Sequence, residues 1–172
     1  MNFILKFSRK SKTVTNDIIA KIVVGLWRVD PLDGGILTHA YPNTSTENSE
    51  ITKTLALKIK DFILIQTRDS NFKSEWSIGP LTIVNQHFYL YGFFARSKWL
   101  VITIQLPIDF SFFLIDEKSE LIIFESSISS NINFVSEDRW GEVILKPLWE
   151  AYLVKLDEFT ELKKSKTSSL ET

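Results

Sequence analysis

The segment that decides the fold runs from Ile22 to Pro42 and reads IVVGLWRVDPLDGGILTHAYP. Its first half, Ile22 to Val29, is rich in β-branched and aromatic residues, and both faces of the segment are apolar. A strand that is covered on both faces has this composition. An edge strand, in contrast, usually carries charged residues that discourage pairing with another chain. The pattern therefore predicts a strand in the middle of a sheet.

A turn and a return strand follow this first strand. Pro31 fixes its own φ, and Asp33-Gly34-Gly35 tolerates the positive φ angles of tight turns. Ile36 to Tyr41 forms the second strand, and Pro42 ends it because proline has no N–H for the sheet. The segment thus predicts a β-hairpin. It contains neither a GxGxxG nor a Walker-type spacing that would bind phosphate.

The composition fits one globular domain without metal or nucleic-acid chemistry. The chain has 172 residues, of which 44% are hydrophobic, and this suffices for a substantial core. Its formal net charge of −1 argues against a nucleic-acid binder, which usually carries a basic excess. It has no cysteine and only two histidines, so we expect no disulfide, no metal site and no cofactor.

Residues 1–20 form a predicted N-terminal extension that precedes the domain. Its apolar start, MNFILKF, comes before Arg9, Lys10 and Lys12, and this charge order does not suit a secretory signal. The longest uncharged apolar run, Trp99 to Ile108, is far shorter than the ~20 residues of a membrane-spanning helix. We expect a cytoplasmic protein without a transmembrane segment, and peripheral contact of the extension with a membrane surface stays open.

An amphipathic helix is predicted from Ser49 to Ile65. Apolar residues recur there at spacings of three and four, which places them on one face of a helix. That face comprises Ile51, Leu55, Ile59, Phe62 and Ile63. Charged residues such as Lys53 and Lys58 lie off the apolar stripe, so we expect them to face solvent.

Three strands are predicted after this helix. The predicted strands are Leu81 to Val84, His87 to Phe94 and Trp99 to Leu106, and Gly79-Pro80 marks a break in the chain before the first of them. Gly92 interrupts a run of bulky residues, which indicates a bulge or a close approach of another group to the backbone.

The segment Phe110 to Ile128 permits two interpretations. As a hairpin, FSFFLID and LIIFESS flank the turn EKSE. As a helix, its apolar residues spread too widely for a clean stripe, although a largely buried helix would accept them. The local pattern favours the hairpin.

Helical residues follow towards the C-terminus. Acidic residues after Ser136 suit the start of a helix, and apolar residues from Trp140 to Phe159 continue at helical spacing. Pro147 in this run implies either a kink or a new helix that begins there. Lys163 to Thr172 is rich in Lys, Ser and Thr, which predicts a flexible tail.

The sequence offers no catalytic constellation. His39 and His87 each lie in a predicted strand without a Ser, Cys or Asp motif that would identify a nucleophile. No GxSxG elbow occurs. Adjacent acidic residues such as Glu137-Asp138 point in different directions on a helix, so they do not form a general acid–base pair. We therefore expect a protein that is not an enzyme.

The order of a hairpin, a helix, three strands and C-terminal helical residues resembles the longin domain and, more loosely, the roadblock fold. VVGLWRVDPLDGGILTHAYP is similar to the openings of longin-type modules in trafficking and GTPase-regulating proteins. In those modules a strand with an Asp near its end is followed by a glycine turn and a second strand that ends at Tyr-Pro. The counterparts here are Asp30, Gly34 or Gly35, and Tyr41-Pro42.

The resemblance covers residues 21–162, and it departs from the family where Phe110 to Ile128 looks like a hairpin, because the family has a helix there. It implies an α+β fold with a single, mainly antiparallel sheet of about five strands and helices packed on it. Helices on one side would leave the other face of the sheet to a partner or to the N-terminal extension. A profilin-like or PAS/GAF-like αβ sandwich is the alternative fold.

The same resemblance implies a non-catalytic protein-interaction module, an adaptor or regulator of small GTPases in membrane traffic or related signalling. The implied partner is a small GTPase or another longin/roadblock subunit, a homodimer included, and not a nucleic acid. The alternative function is a small-molecule-sensing PAS/GAF-like domain, with a pocket lined by Phe88 to Phe94 and Trp99. The predicted contact residues are aromatic anchors and one lysine, namely Trp27, Tyr41, Lys53, Tyr89, Tyr91 and Trp99.

Overall fold

Five strands build one antiparallel sheet in the computed structural model, which describes residues 21–30, 32–42, 49–68, 75–116, 128 and 131–170. The strands are β1 (Val23–Asp30), β2 (Gly34–Tyr41), β3 (Glu75–Ile83), β4 (Gln86–Ala95) and β5 (Lys98–Pro107). Their order in the sheet is β2-β1-β5-β4-β3. The predicted α+β class with a five-stranded antiparallel sheet is confirmed, while the predicted extension, residues 1–20, lies outside the described residues.

β1 lies inside the sheet, because it pairs with β2 on one side and with β5 on the other. Leu26, for example, stands opposite His39 of β2 and Ile102 of β5. Val24, Leu26 and Trp27 are all buried, although successive side chains point to opposite faces of the sheet. The prediction of an interior strand is thus confirmed, and apolar residues on both faces are the reason for it.

Two-residue turns connect β3 to β4 and β4 to β5. Val84 and Asn85 form the first turn, with φ angles of 45° and 57°. Arg96 and Ser97 form the second, with φ angles of 52° and 61°. Positive φ at both central residues matches the right-handed twist of the flanking strands. The predicted short strand Leu81 to Val84 is therefore the end of the longer β3, and its last residue belongs to the turn.

The first helix, α1, spans Ser49–Arg68 and packs across one face of the sheet. Leu55, Ile59 and Ile63 are buried as predicted, and Phe62 is partly buried beside them. The predicted helix is confirmed, and it continues past Ile65, where the sequence analysis ended it.

Glycines of β2 let α1 approach the sheet closely. A Cβ atom at Gly35 would lie 3.3 Å from Cα of Ala56 in α1. Gly34 has a φ of 85°, in the left-handed region that favours glycine. Lys60 of α1 donates a hydrogen bond from Nζ to the carbonyl oxygen of Leu32 at 3.2 Å. The glycines of the hairpin therefore seat α1 on the first two strands.

Asp30 holds the β1–β2 turn as a hydrogen-bond acceptor. Its Oδ1 accepts the backbone N–H of Asp33 at 3.1 Å and that of Leu32 at 2.8 Å. Because both hydrogen bonds favour the charged carboxylate, they hold the pKa of the Asp30 carboxyl below its usual value. The acidic residue at the end of the first strand therefore has a structural role in the turn.

This lowered pKa predicts a contribution to stability that depends on pH. The contribution is present above the pKa of an unfolded Asp, about 4, and is lost as the pH falls through the lower folded-state pKa. Asp30→Asn keeps an oxygen acceptor but does not titrate, so its unfolding free energy should fall less between about pH 6 and pH 3. Urea unfolding at both pH values measures this, with Asp33→Asn as the control. Equal pH slopes for Asp30→Asn and the wild type would refute the role of Asp30.

The second helix, α2, spans Ile108–Asp116 and begins directly after β5. Phe110 and Leu114, one helical turn apart, are buried, whereas Phe112 is 51% exposed. The hairpin interpretation of Phe110 to Ile128 is therefore wrong for the residues up to 116, and those from 117 to 127 lie outside the described part. The apolar residues spread around this helix because it is largely buried while part of its surface meets solvent.

The third helix, α3, spans Lys146–Leu170 and follows a π-helical turn, Gly141–Leu145. Pro147 is the second residue of α3 and directly follows the π-helical turn. The backbone stays helical from Trp140 to Leu170, so no separate helix begins at this proline, and the irregularity beside it is the π-helical turn. The segment predicted as a flexible tail, Lys163 to Thr172, is helical as far as Leu170.

Helices cover both faces of the sheet. One hydrophobic cluster, with Phe110 and Tyr152 among its buried members, lies between the sheet and α2, the π-helical turn and α3. The other cluster, with Ile59 and Phe88, lies between the opposite face and α1. The expectation of helices on one side only is therefore wrong, because α1 packs on the face opposite to α2 and α3.

Candidate protein-interaction surface

The structure divides the predicted contact residues into a buried and an accessible group. Trp27, Tyr89 and Tyr91 are buried, Tyr41 and Trp99 are partly buried, and Lys53 is exposed. Only the accessible group can contribute to a contact surface without unfolding of the sheet.

Trp27 and Tyr89 are held in the core by hydrogen bonds as well as by apolar packing. Trp27 Nε1 donates to Thr103 Oγ1 at 2.8 Å, and the Tyr89 hydroxyl lies 3.0 Å from Ser111 Oγ. Tyr91 follows on the same face of β4 as Tyr89 and is 2% exposed. The assignment of these three aromatic residues to a contact surface is corrected, because the sheet lies between helices on both faces.

Tyr41 and Trp99 lie on opposite faces of the sheet. Tyr41, at the end of β2, packs edge-on against Trp149 of α3, with ring centroids 5.2 Å apart. Trp99, at the start of β5, packs against Phe94 of β4 at 5.4 Å, on the cluster beneath α1. Phe94 is 50% exposed. These two predicted contact residues therefore do not belong to one patch.

The outer face of α1 carries a group of exposed apolar residues. Leu57, Leu64 and Ile65 are 62%, 39% and 64% exposed. Spacings of seven and eight residues place them on one side of the helix, away from the stripe that packs on the sheet. We call these three residues the outer stripe. Grouped, exposed apolar side chains mark interaction sites, whereas singly scattered ones do not.

Charged residues surround the outer stripe. At 100° per residue, Lys53 and Lys58 lie on its two sides, and Glu50 and Asp61 lie along it. All of these residues are exposed. An apolar centre within a polar rim is typical of protein interfaces. Lys53 is thus the one predicted contact residue that adjoins this surface.

The sequence analysis missed Leu57 and Ile65 as surface residues. Each is apolar and lies off the predicted buried stripe, which was the available signal.

A buried polar network joins α2 to β4. His87 Nδ1 and the Tyr89 hydroxyl each lie 3.0 Å from Ser111 Oγ. The sequence analysis found no serine for His87, because Ser111 lies 24 positions away along the chain. Ser111 is fully buried and His87 is 5% exposed. A satisfied network of this kind fixes the position of α2 on the sheet.

Tyr152 of α3 adds a second buried hydroxyl near Tyr89. Burial raises the pKa of the Tyr152 hydroxyl, and the neighbouring Tyr89 raises it further. Within the described residues this hydroxyl makes no hydrogen bond. A raised pKa keeps the group neutral at physiological pH, so it supplies neither a base nor a charge.

The described part of the chain contains no group of three or more His, Asp or Glu side chains arranged to hold a metal ion. None of the helices in these ranges is both long and apolar enough to cross a membrane. No family model, no curated protein and no solved structure matches this chain.

Proposed function

We propose that this chain is a longin-like, non-catalytic interaction module that binds a folded protein through the outer stripe of α1. The observation that carries the proposal is the exposure of Leu57 and Ile65, 62% and 64%, on the outer face of a helix that already buries another apolar stripe. Burial of apolar surface stabilises by about 25 cal/mol per Å², so a partner that covers these side chains gains binding energy.

A small GTPase is the proposed partner, and the role is that of an adaptor or regulator in membrane traffic or related signalling. The order hairpin, helix, three strands and C-terminal helices supports this, because it is the order on which the longin resemblance rests. The helix Ile108–Asp116 also supports it, since the longin family has a helix at that point. Another longin/roadblock subunit, including a second copy of this chain, is the alternative partner within the same proposal.

The module acts by binding and turns over no substrate. The burial of His87 beneath α2, and of Ser111 on the inner side of that helix, supports this, because a substrate could reach them only after the helix had moved. The proposed location is the cytoplasm, at times on the surface of a membrane, where small GTPases of trafficking act.

Sedimentation velocity of the full chain tests the proposal. The chain is run alone and then mixed with small GTPases of the organism that encodes it, each loaded with GDP or with a non-hydrolysable GTP analogue. We expect a complex with at least one GTPase that depends on the nucleotide, burying about 1,200–2,000 Å² in total. A strict monomer that binds no GTPase in either state would refute the proposal and favour the ligand-sensing alternative.

A further inference from the structure

A groove of about 480 Å³ lies beside β2, the outermost of the described strands on this side of the sheet. Five consecutive residues of this strand, Leu37 to Tyr41, line its floor. Thr52 of α1 lines one wall, and Asp138, Gly141 and Glu142 line the other. The groove lies at one end of α1 and is distinct from the outer stripe.

The floor of the groove offers backbone hydrogen-bonding groups. β2 is the last strand of the sheet and pairs with β1 alone among the described strands. The outer edge of such a strand carries N–H and C=O groups that can pair with another extended chain. The opposite edge of the sheet, β3, contains Pro80, which cannot donate to a ladder. β2 contains no proline and no Asp, Glu, Lys or Arg, and the irregularity in it is a β-bulge at Thr38, where its pairing with β1 shifts register, so an added strand would have to accommodate that bulge.

The two walls differ in chemistry. On the side of His39, whose ring lies 5.7 Å from that of Trp140, the wall carries the exposed carboxylates of Asp138 and Glu142. The Glu142 carboxylate lies 3.8 Å from Lys146 Nζ, in a pair whose side chains are 70% and 41% exposed, so solvent screens this ion pair. On the side of α1, the lining residue is Thr52, which is uncharged. A strand laid on the floor would turn alternate side chains towards these two walls.

We propose that this groove binds an extended segment of a partner protein by β-strand addition, and that the segment alternates Lys or Arg with small β-branched residues. The basic side chains face Asp138 and Glu142, and the β-branched ones face the wall formed with Thr52. The backbone of the segment extends the sheet beyond β2. This site does not depend on the GTPase proposal, because it uses the strand edge and leaves the outer stripe free.

The probe is a synthetic peptide of about eight residues in which lysine alternates with valine, titrated calorimetrically into the full chain. A peptide of glutamate and valine is the charge control. We expect the basic peptide to bind at least about tenfold more tightly at low salt, because charge repulsion opposes the acidic one. Equal affinity of the two peptides, or no binding of either, would overturn the proposal.

N-methylated peptides separate strand addition from simple charge attraction. In a strand, successive N–H groups point to opposite edges, so methylation of every second N–H in one phase blocks the ladder with β2. Methylation in the other phase leaves that ladder intact. We expect a loss of affinity of about tenfold or more in one phase only. Equal affinities of the two methylated peptides would contradict strand addition.

Variants of the chain locate the site. A Cβ atom at Gly141 would meet no atom within 4 Å, so Gly141→Trp fills the groove without a clash at its Cβ atom, and we expect it to abolish binding. Asp138→Lys tests the charged wall and should weaken binding of the basic peptide by about fivefold. Asp157→Lys, an exposed charge reversal on α3, is the matched control. If the Gly141→Trp and Asp138→Lys variants both bind the basic peptide as tightly as the Asp157→Lys variant does, the groove is not the binding site.

Discussion

Leu55→Ala should lower the free energy of unfolding by about 2–5 kcal/mol, because it removes a large apolar side chain from a packed core. Leu55 is 4% exposed and lies in the cluster between α1 and the sheet, together with Ile59. Truncation there loses the transfer free energy of the removed atoms and leaves a cavity that the strands cannot close. Chemical denaturation of the variant and the wild type measures the difference.

The matched control for Leu55→Ala lies two positions away on the same helix. Leu57→Ala makes the same chemical change at a residue that is 62% exposed, so it should alter stability by no more than about 0.5 kcal/mol. Lys53→Ala should behave in the same way. Lys60 is a poorer control, because it donates to Leu32 of the hairpin. Similar losses at Leu55 and Leu57 would mean that the two faces of α1 are assigned incorrectly.

Gly92→Ala should be destabilising by about 1–3 kcal/mol, the cost of inserting atoms into a packed core. Gly92 of β4 stands opposite Trp76 of β3, and a Cβ atom at Gly92 would overlap the indole ring. Trp76 is 8% exposed and lies 4.3 Å from the Phe62 ring, so it has little room to move. Thermal or urea unfolding measures the loss.

Two comparisons test the cause of that loss. Gly141→Ala makes the same substitution where a Cβ atom meets nothing, so its stability should match or slightly exceed that of the wild type. In a Trp76→Leu background, Gly92→Ala should cost less than in the wild type, since the overlapping ring is gone. If Gly92→Ala lowers the free energy of unfolding as much in the Trp76→Leu background as in the wild type, the loss comes from the backbone and not from a clash with the indole ring.

The spacing and composition of apolar residues predicted α1 and the interior position of β1, because local pattern determines both. The apolar spacing of Leu55, Ile59 and Ile63 defines the buried face of α1, and two-sided apolar composition identified β1 as an interior strand. Of the two alternatives predicted at Gly92, a bulge or a close approach to the backbone, the close approach is observed, although the sequence did not identify Trp76 as the approaching group.

The sequence did not determine α2. Phe110 and Leu114 are buried one turn apart, but Phe112 and Ile115 on the same short helix remain about half exposed. Apolar residues on both the buried and the exposed sides erase the helical stripe, so the local pattern resembles alternation. Only the packing of the segment against the sheet and α3 reveals the helix.

Three of the six predicted contact residues lie in the core for a related reason. Aromatic content does not reveal which faces of a sheet are covered, and helices on both faces bury Trp27, Tyr89 and Tyr91. The sequence shows that the residues of the outer stripe are apolar and lie off the buried face of α1. Their exposure, however, depends on how that helix packs on the sheet, which the sequence does not show. The β2 groove could not be predicted from the sequence, because Tyr41 and Glu142 are distant along the chain and only the fold brings them together.

The most direct test of the central claim compares two apolar-to-charged substitutions in the same sedimentation assay with small GTPases. Leu57→Glu places a charge in the outer stripe of α1, and Val154→Glu places one at an exposed valine of α3, where 61% of the residue is accessible. We predict that Leu57→Glu weakens the complex by about tenfold or more, while Val154→Glu leaves it at wild-type strength. Equal binding by the two variants would contradict the claim that the outer face of α1 is the contact surface.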